Sequence, residues 1–169
     1  MSDDFEYVCH RCGEKHAGLP YAYGGAYAPD YWNDELANDE TSLLDEELCV
    51  IGGENFFVRA RIILPVIDEV REFEWGVWVS LSHTNFERTV ELWTAEGREQ
   101  EPSYFGFVAT TLPTYEPTTL ELKSRVHTRP VGERPVVELE PTDHPLAVEQ
   151  RDGITRARVQ EIAEAMLHA

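Results

Sequence analysis

The chain has 169 residues, 42% of them apolar and 11% aromatic, and carries a formal net charge of −18. Such a composition fills the core of one domain, here expected to span residues 1–169, and excludes a disordered polymer. A surface this acidic repels nucleic-acid phosphates and anionic membranes, so neither is an expected partner, and it attracts a basic protein.

The most apolar run, Ile62 to Ile67, is far too short to cross a bilayer. Met1 to Asp4 lacks the basic and apolar regions of a signal peptide, so the cytoplasm is the expected compartment. Thiols stay reduced there, and Cys9, Cys12 and Cys49 read as thiols or metal ligands rather than disulfide partners.

In chain order, Phe5, Tyr7 and Cys9 alternate on one face of a short strand that runs into Cys9-His10-Arg11-Cys12-Gly13. Leu19 to Trp32 is a loop rich in glycine, proline and aromatics. It reads either as a grip on a ligand or, more blandly, as a cover for the core edge. From Asp30 to Glu47 there are eight acidic residues and no basic one. That stretch reads as a solvated face with Trp32, Leu36, Leu43 and Leu44 turned inward. Leu48 to Ile51, Gly52-Gly53 and Asn55 to Val66 form a predicted hairpin. Arg71 to Leu81 is a predicted strand whose second face carries Trp78, so that face too needs partial cover.

Thr84 and Glu87 form a capping box that predicts a helix over about 84–96, with Phe86, Val90 and Trp93 on its stripe. Tyr104 to Leu112, Thr118 to Thr128 and Pro135 to Leu139 are further predicted strands. A second helix, over about 155–168, is capped by Thr155 and presents Val159, Ile162, Ala163, Met166 and Leu167. The expected class is α+β: a mainly antiparallel sheet with two flanking helices and an N-terminal zinc knuckle, residues 1–20 forming an arm packed on the sheet.

Two cysteines two residues apart, then a glycine, make the turn that wraps a chain around a metal ion. His16 and Cys49 would complete four ligands for a structural zinc with Cys9 and Cys12, since zinc prefers a tetrahedral set of N and S donors. Metal-free thiols, a redox pair, or a site with fewer protein ligands and a water remain open on spacing alone. A redox pair of the thioredoxin kind needs a βαβ context, which the pattern lacks. The segment Glu140 to Gly153 supplies weak catalytic candidates: His144 as a base, Arg151 as an anion clamp, and Glu149 and Asp152. Against them stands a plain structural role in turns and surface pairs.

Several segments resemble the bacterial family called domain of unknown function 2199. They are Cys9 to Gly13 with His16 and Gly18-Leu19-Pro20, Ala28 to Trp32, Leu48 to Ile51 with Phe56 to Arg59, Trp75 to Ser82, and Leu139 to Gln150. The resemblance implies a bacterial, single-domain, cytoplasmic protein with no assigned activity, and it supplies no catalytic residues. Two functions follow for test. One is a non-enzymatic binding or regulatory module with a structural zinc and a basic protein partner, in one form an inhibitor that masks a nuclease groove. The other is a small metal-dependent or hydrolytic enzyme built on His144, Glu149, Arg151 and Asp152.

Overall fold

The computed structural model describes residues 6–169. The Phe5 end of the first predicted strand lies outside them. The remainder of that strand, β1 (Tyr7–Val8), pairs antiparallel with β2 (Lys15–His16) as a small separate ribbon.

The main sheet grows from two long strands. β3 (Ala22–Tyr23), β4 (Leu43–Leu44) and β5 (Leu48–Ile51) are short, whereas β6 (Asn55–Pro65) and β7 (Glu72–Leu81) pair along their whole length. Their alternation drives this pairing. Val58, Ala60, Ile62 and Leu64 on β6 face the same side as Phe73, Trp75, Val77, Val79 and Leu81 on β7, and all are buried.

One edge of β6 is shared. β5 takes its first half, antiparallel, across the Gly52-Gly53 turn, where both glycines have positive φ. β10 (Val136–Leu139) takes its second half, parallel, at Val136↔Arg61. β9 (Lys123–His127) then pairs antiparallel with β10, and β8 (Tyr104–Phe107) with β9. β3 adds in parallel at Ala22↔Glu74 on the free edge of β7. The sheet is therefore mixed, with antiparallel pairs dominant.

The sheet also curls onto itself. Past β8, Val108 bridges Val79 of β7, and the Ala109 amide donates to Trp78 O at 2.8 Å. Gly106 makes this approach possible, because a Cβ there would stand 2.2 Å from Ser80 O. The interior holds the main apolar cluster.

The outer face carries a second cluster of Cys49, Phe57, Trp78 and Ala109, with Trp32, Leu44 and Ile51 against it. The expectation that Trp78 would need cover is met by the aromatic loop. Tyr31 stacks on Phe57 at 6.0 Å, and Trp78 Nε1 donates to Ala26 O at 3.1 Å. The loop thus takes the bland role, covering the core edge. Leu43, expected inward, is 50% exposed, since on β4 it points away from its neighbour Leu44.

Three α-helices lie among the described residues. α1 (His83–Glu91) starts one turn-residue earlier than predicted. Ser82, not Thr84, is the cap, its hydroxyl accepting from the Asn85 amide at 3.1 Å. The helix also ends sooner, at Glu91, and leaves Val90 and Trp93 substantially exposed. α2 (Pro145–Asp152) is a helix where only a broken segment was expected, with proline at its first position as helix starts favour. α3 (Arg156–Leu167) is capped by Thr155 as predicted, and it buries Val159, Ile162 and Ala163.

α1 is tied to β8 by a fork. Arg88 donates through Nε and Nη2 to both oxygens of Glu101 at 3.0 Å, and Tyr104 OH adds a bond at 2.7 Å. These bonds, Arg88 first and Tyr104 second, lower the Glu101 pKa from 4.5 to about 2. A depressed carboxylate stabilises the fold above its unfolded pKa and loses that contribution as pH falls through the folded value. Melting curves of wild type and Glu101→Gln should therefore differ at neutral pH and converge between about pH 4.5 and 2. A constant gap across that window would show that the fork does not act through ionisation.

Candidate metal centre

Four donors meet where the chain begins and ends. Cys9 and Cys12 come from the knuckle, His16 from β2, and His168 from the residue capping the C-terminal end of α3. Their ligand atoms all lie within 4.8 Å of one another. Cys9 Sγ stands 3.2 Å from His168 Nε2, and Cys12 Sγ stands 3.3 Å from His16 Nε2. A tetrahedral zinc with bonds of 2.0–2.3 Å requires ligand–ligand separations of roughly 3.3–3.8 Å. The cluster needs only small side-chain adjustments to meet that geometry.

The knuckle is preset by its backbone. Gly13, at φ 76, lets its amide return to Cys9 O at 2.9 Å, while Cys9 N donates to Glu14 O at 2.9 Å. The Arg11 amide approaches Cys9 Sγ at 3.4 Å, the amide-to-sulfur contact such turns use. The Glu14 amide acts to lower the Cys12 thiol pKa, but partial desolvation and the neighbouring Cys9 thiol outweigh it and leave it raised. A cation between the sulfurs would reverse that balance, because thiolate is the ligating form.

α3 holds the knuckle through a second contact. Glu164 is buried and lies one turn before His168, so both occupy one helix face. It accepts from the His10 amide at 2.8 Å and meets His10 Nδ1 at 3.0 Å. Gln160, a turn earlier, donates to Val8 O at 3.0 Å and to Glu164 at 2.9 Å. Burial alone would raise the Glu164 carboxyl, but the bonds from Gln160 and His10 hold it below its ordinary value. Cys9 is buried, His16 half-buried, and Cys12 and His168 are exposed.

Cys49, proposed from sequence as the fourth ligand, is not in this group. It lies on β5 opposite Phe57, fully buried in the outer apolar cluster, where burial pushes its thiol up to about 12. A thiol so placed behaves as a small hydrophobe. The arrangement supplies His168 in its place. Nothing in the sequence spacing marks that histidine; the one available signal was its position four residues after Glu164 on an amphipathic helix.

The structure gives each catalytic candidate its own contacts. His144 caps α2: its Nδ1 accepts from the Leu146 amide at 3.0 Å. The proton must then sit on Nε2, which donates to Pro117 O at 2.9 Å and lies 3.2 Å from Thr118 O. Both ring nitrogens are spent on main-chain groups. Glu149 accepts from Tyr115 OH and Arg158 Nε, each at 2.7 Å, and Tyr115 in turn accepts from Trp75 Nε1 at 2.9 Å. Arg151 donates to Thr142 O at 3.2 Å, beside exposed Asp152 at 3.9 Å. His144→Ala should therefore cost about 1–3 kcal/mol of stability, and His144→Asn, whose side-chain oxygen can still cap α2, distinctly less. Equal losses in denaturant titrations would disprove the capping role.

The model of a bacterial family described as uncharacterised conserved proteins, DUF2199, matches residues 8–154. The chain belongs to the DUF2199 family. No match was found among curated proteins or solved structures. Cys9, Cys12 and His16 fall inside the DUF2199 span, whereas His168 and α3 lie beyond it. No helix of the described DUF2199 chain is long and apolar enough to cross a membrane.

Proposed function

We propose that this protein is a non-enzymatic binding module in which a zinc ion held by Cys9, Cys12, His16 and His168 staples the N-terminal arm to α3. The single observation behind this reading is the convergence of two sulfurs and two imidazole nitrogens within 4.8 Å. Two thiolates and two imidazoles at tetrahedral spacing suit zinc, and four protein ligands leave no position for a substrate. The metal's role is then structural, its binding energy adding to folding.

The recognition surface in this reading is acidic. Asp34, Glu35, Glu40, Asp45 and Glu46 are exposed on one stretch without a basic residue, in a chain of net charge −18. A basic protein is the partner such a surface favours.

Elemental analysis of protein purified without added metal tests the zinc. About one zinc per chain, lost in Cys12→Ser, supports the reading. Absence of metal, with no response to added zinc, overturns it. The partner is tested separately by capture at low and high salt: a basic protein held at low salt and released at high salt is expected. A surface that captures nothing at low salt refutes the acidic-docking half alone.

A further inference from the structure

The curled sheet forks at one edge. β5 and β10 share the edge of β6 without pairing to each other, and the two-pronged Glu47–Arg134 ion pair spans the fork between them. Behind this fork lies a cavity of about 650 Å³. Its floor is the inward-facing row of Val58, Leu81, Tyr104 and Val126, and its sides are Trp93 after α1 and the loop from Thr128 to Pro135. That volume is within the range of small-molecule pockets, and the mouths of curled β-sheets are a common place for them.

The charge in the cavity wall opposes that of the rest of the chain. Four arginines and two glutamates line it. Arg134 is neutralised by Glu47 at 2.8 Å, and Arg61 by Glu74 at 3.2 Å. Arg98 is different. It is only 9% exposed and has no carboxylate partner among the described residues. Its guanidinium donates instead to the carbonyls of Trp93, Arg129, Pro130 and Glu133, at 2.7–3.1 Å. A guanidinium has five N–H donors, so one on Nη1 remains unassigned. Those bonds fix the loop and leave a buried positive charge unneutralised, which is costly unless an anion approaches. Arg129, at the rim, has among the described residues only a long ion-pair contact, to Glu133 at 3.9 Å, and its side chain is 43% exposed.

We propose that this cavity binds a small molecule with an apolar body and one anionic group, a medium-chain carboxylate in chemical class. The apolar body lies along Val58, Leu81, Val126 and Trp93, and the carboxylate meets Arg129 and the field of Arg98. This site is independent of the zinc centre, which lies among the knuckle and α3.

Titration of Trp fluorescence and calorimetry with decanoate, decanol and decyltrimethylammonium tests it on the full-length protein. Decanoate should bind at least tenfold more tightly than decanol, and the cation should not bind. Arg129→Gln keeps the main-chain carbonyl that Arg98 uses, and should weaken decanoate about tenfold while leaving decanol unchanged. Val131→Glu, at a lining position 46% exposed, should abolish decanoate binding without loss of fold by circular dichroism. Equal affinity for decanoate and decanol, or decanoate binding indifferent to both substitutions, would overturn the anionic assignment. Absence of binding by all three probes would overturn the site.

Discussion

With zinc held by Cys9, Cys12, His16 and His168 as proposed, stripping the metal is expected to lower the melting temperature by roughly 8–16 °C. A ligand that binds only the folded chain stabilises it by about 4 kcal/mol when present at a thousand times its dissociation constant. For a chain of this size each kcal/mol moves the midpoint by about 2–4 °C. The ligand set makes the effect large, since Cys9 and His168 are 159 positions apart and only the folded chain brings them together. Two substitutions then separate the candidate fourth ligands. His168→Ala should lose the metal and reproduce the apo midpoint, whereas Cys49→Ala should keep one zinc per chain and suffer only a core truncation. Retention of zinc in His168→Ala with its loss in Cys49→Ala would reverse the assignment. A chelator that leaves the midpoint untouched would remove the structural role altogether.

Gly106→Ala is expected to cost about 3 kcal/mol, the upper end of overpacking penalties, or roughly 6–12 °C in midpoint. The new Cβ would stand 2.2 Å from Ser80 O and 2.9 Å from Val79 Cγ2. Ser80 O is main chain, so it cannot swing aside as a flexible side chain would. Relief requires β8 to move off β7, which breaks the closure at Val79↔Val108 and the Phe107 amide bond to Ser80 Oγ at 3.0 Å. Gly18→Ala is the control. Gly18 has φ 77 and open space around it, so the substitution bears only left-handed backbone strain of roughly 1–2 kcal/mol. Equal losses in the two variants would show that closure does not depend on the close approach at Gly106. Because Leu81 and Tyr104 line the cavity beside this seam, Gly106→Ala should also weaken decanoate binding.

The long strands were legible because their cause is local. Period-two alternation over Phe73 to Leu81 can bury one face only as a strand, and Trp78 on the opposite face announced a second cover. α3 was legible for the same reason: its stripe and Thr155 cap lie within a dozen residues. α1 was misread at its start because Ser82 and Thr84 are both competent caps. Which one serves depends on where β7 ends, and pairing with β6 carries it to Leu81. α2 was missed because the histidine that caps it also offered a catalytic reading. Only the carbonyls of Pro117 and Thr118, distant in sequence, showed that its ring is fully engaged.

The sequence by itself determined three of the four donors of the candidate metal centre. Cys9, Cys12, Gly13 and His16 are close along the chain, and the turn at Gly13 with the β1–β2 ribbon brings two sulfurs and an imidazole together. The fourth donor of the cluster was decided by tertiary structure. Cys49 was the right element in the wrong place: β5 turns it toward Phe57 and Trp78, whereas packing of α3 under the knuckle delivers His168. Spacing encodes local geometry, but a contact spanning nearly the whole chain exists only after the core has formed. The cavity follows the same rule. Its arginines are scattered from Arg61 to Arg134, and only the folded sheet with its loops gathers them around one cavity.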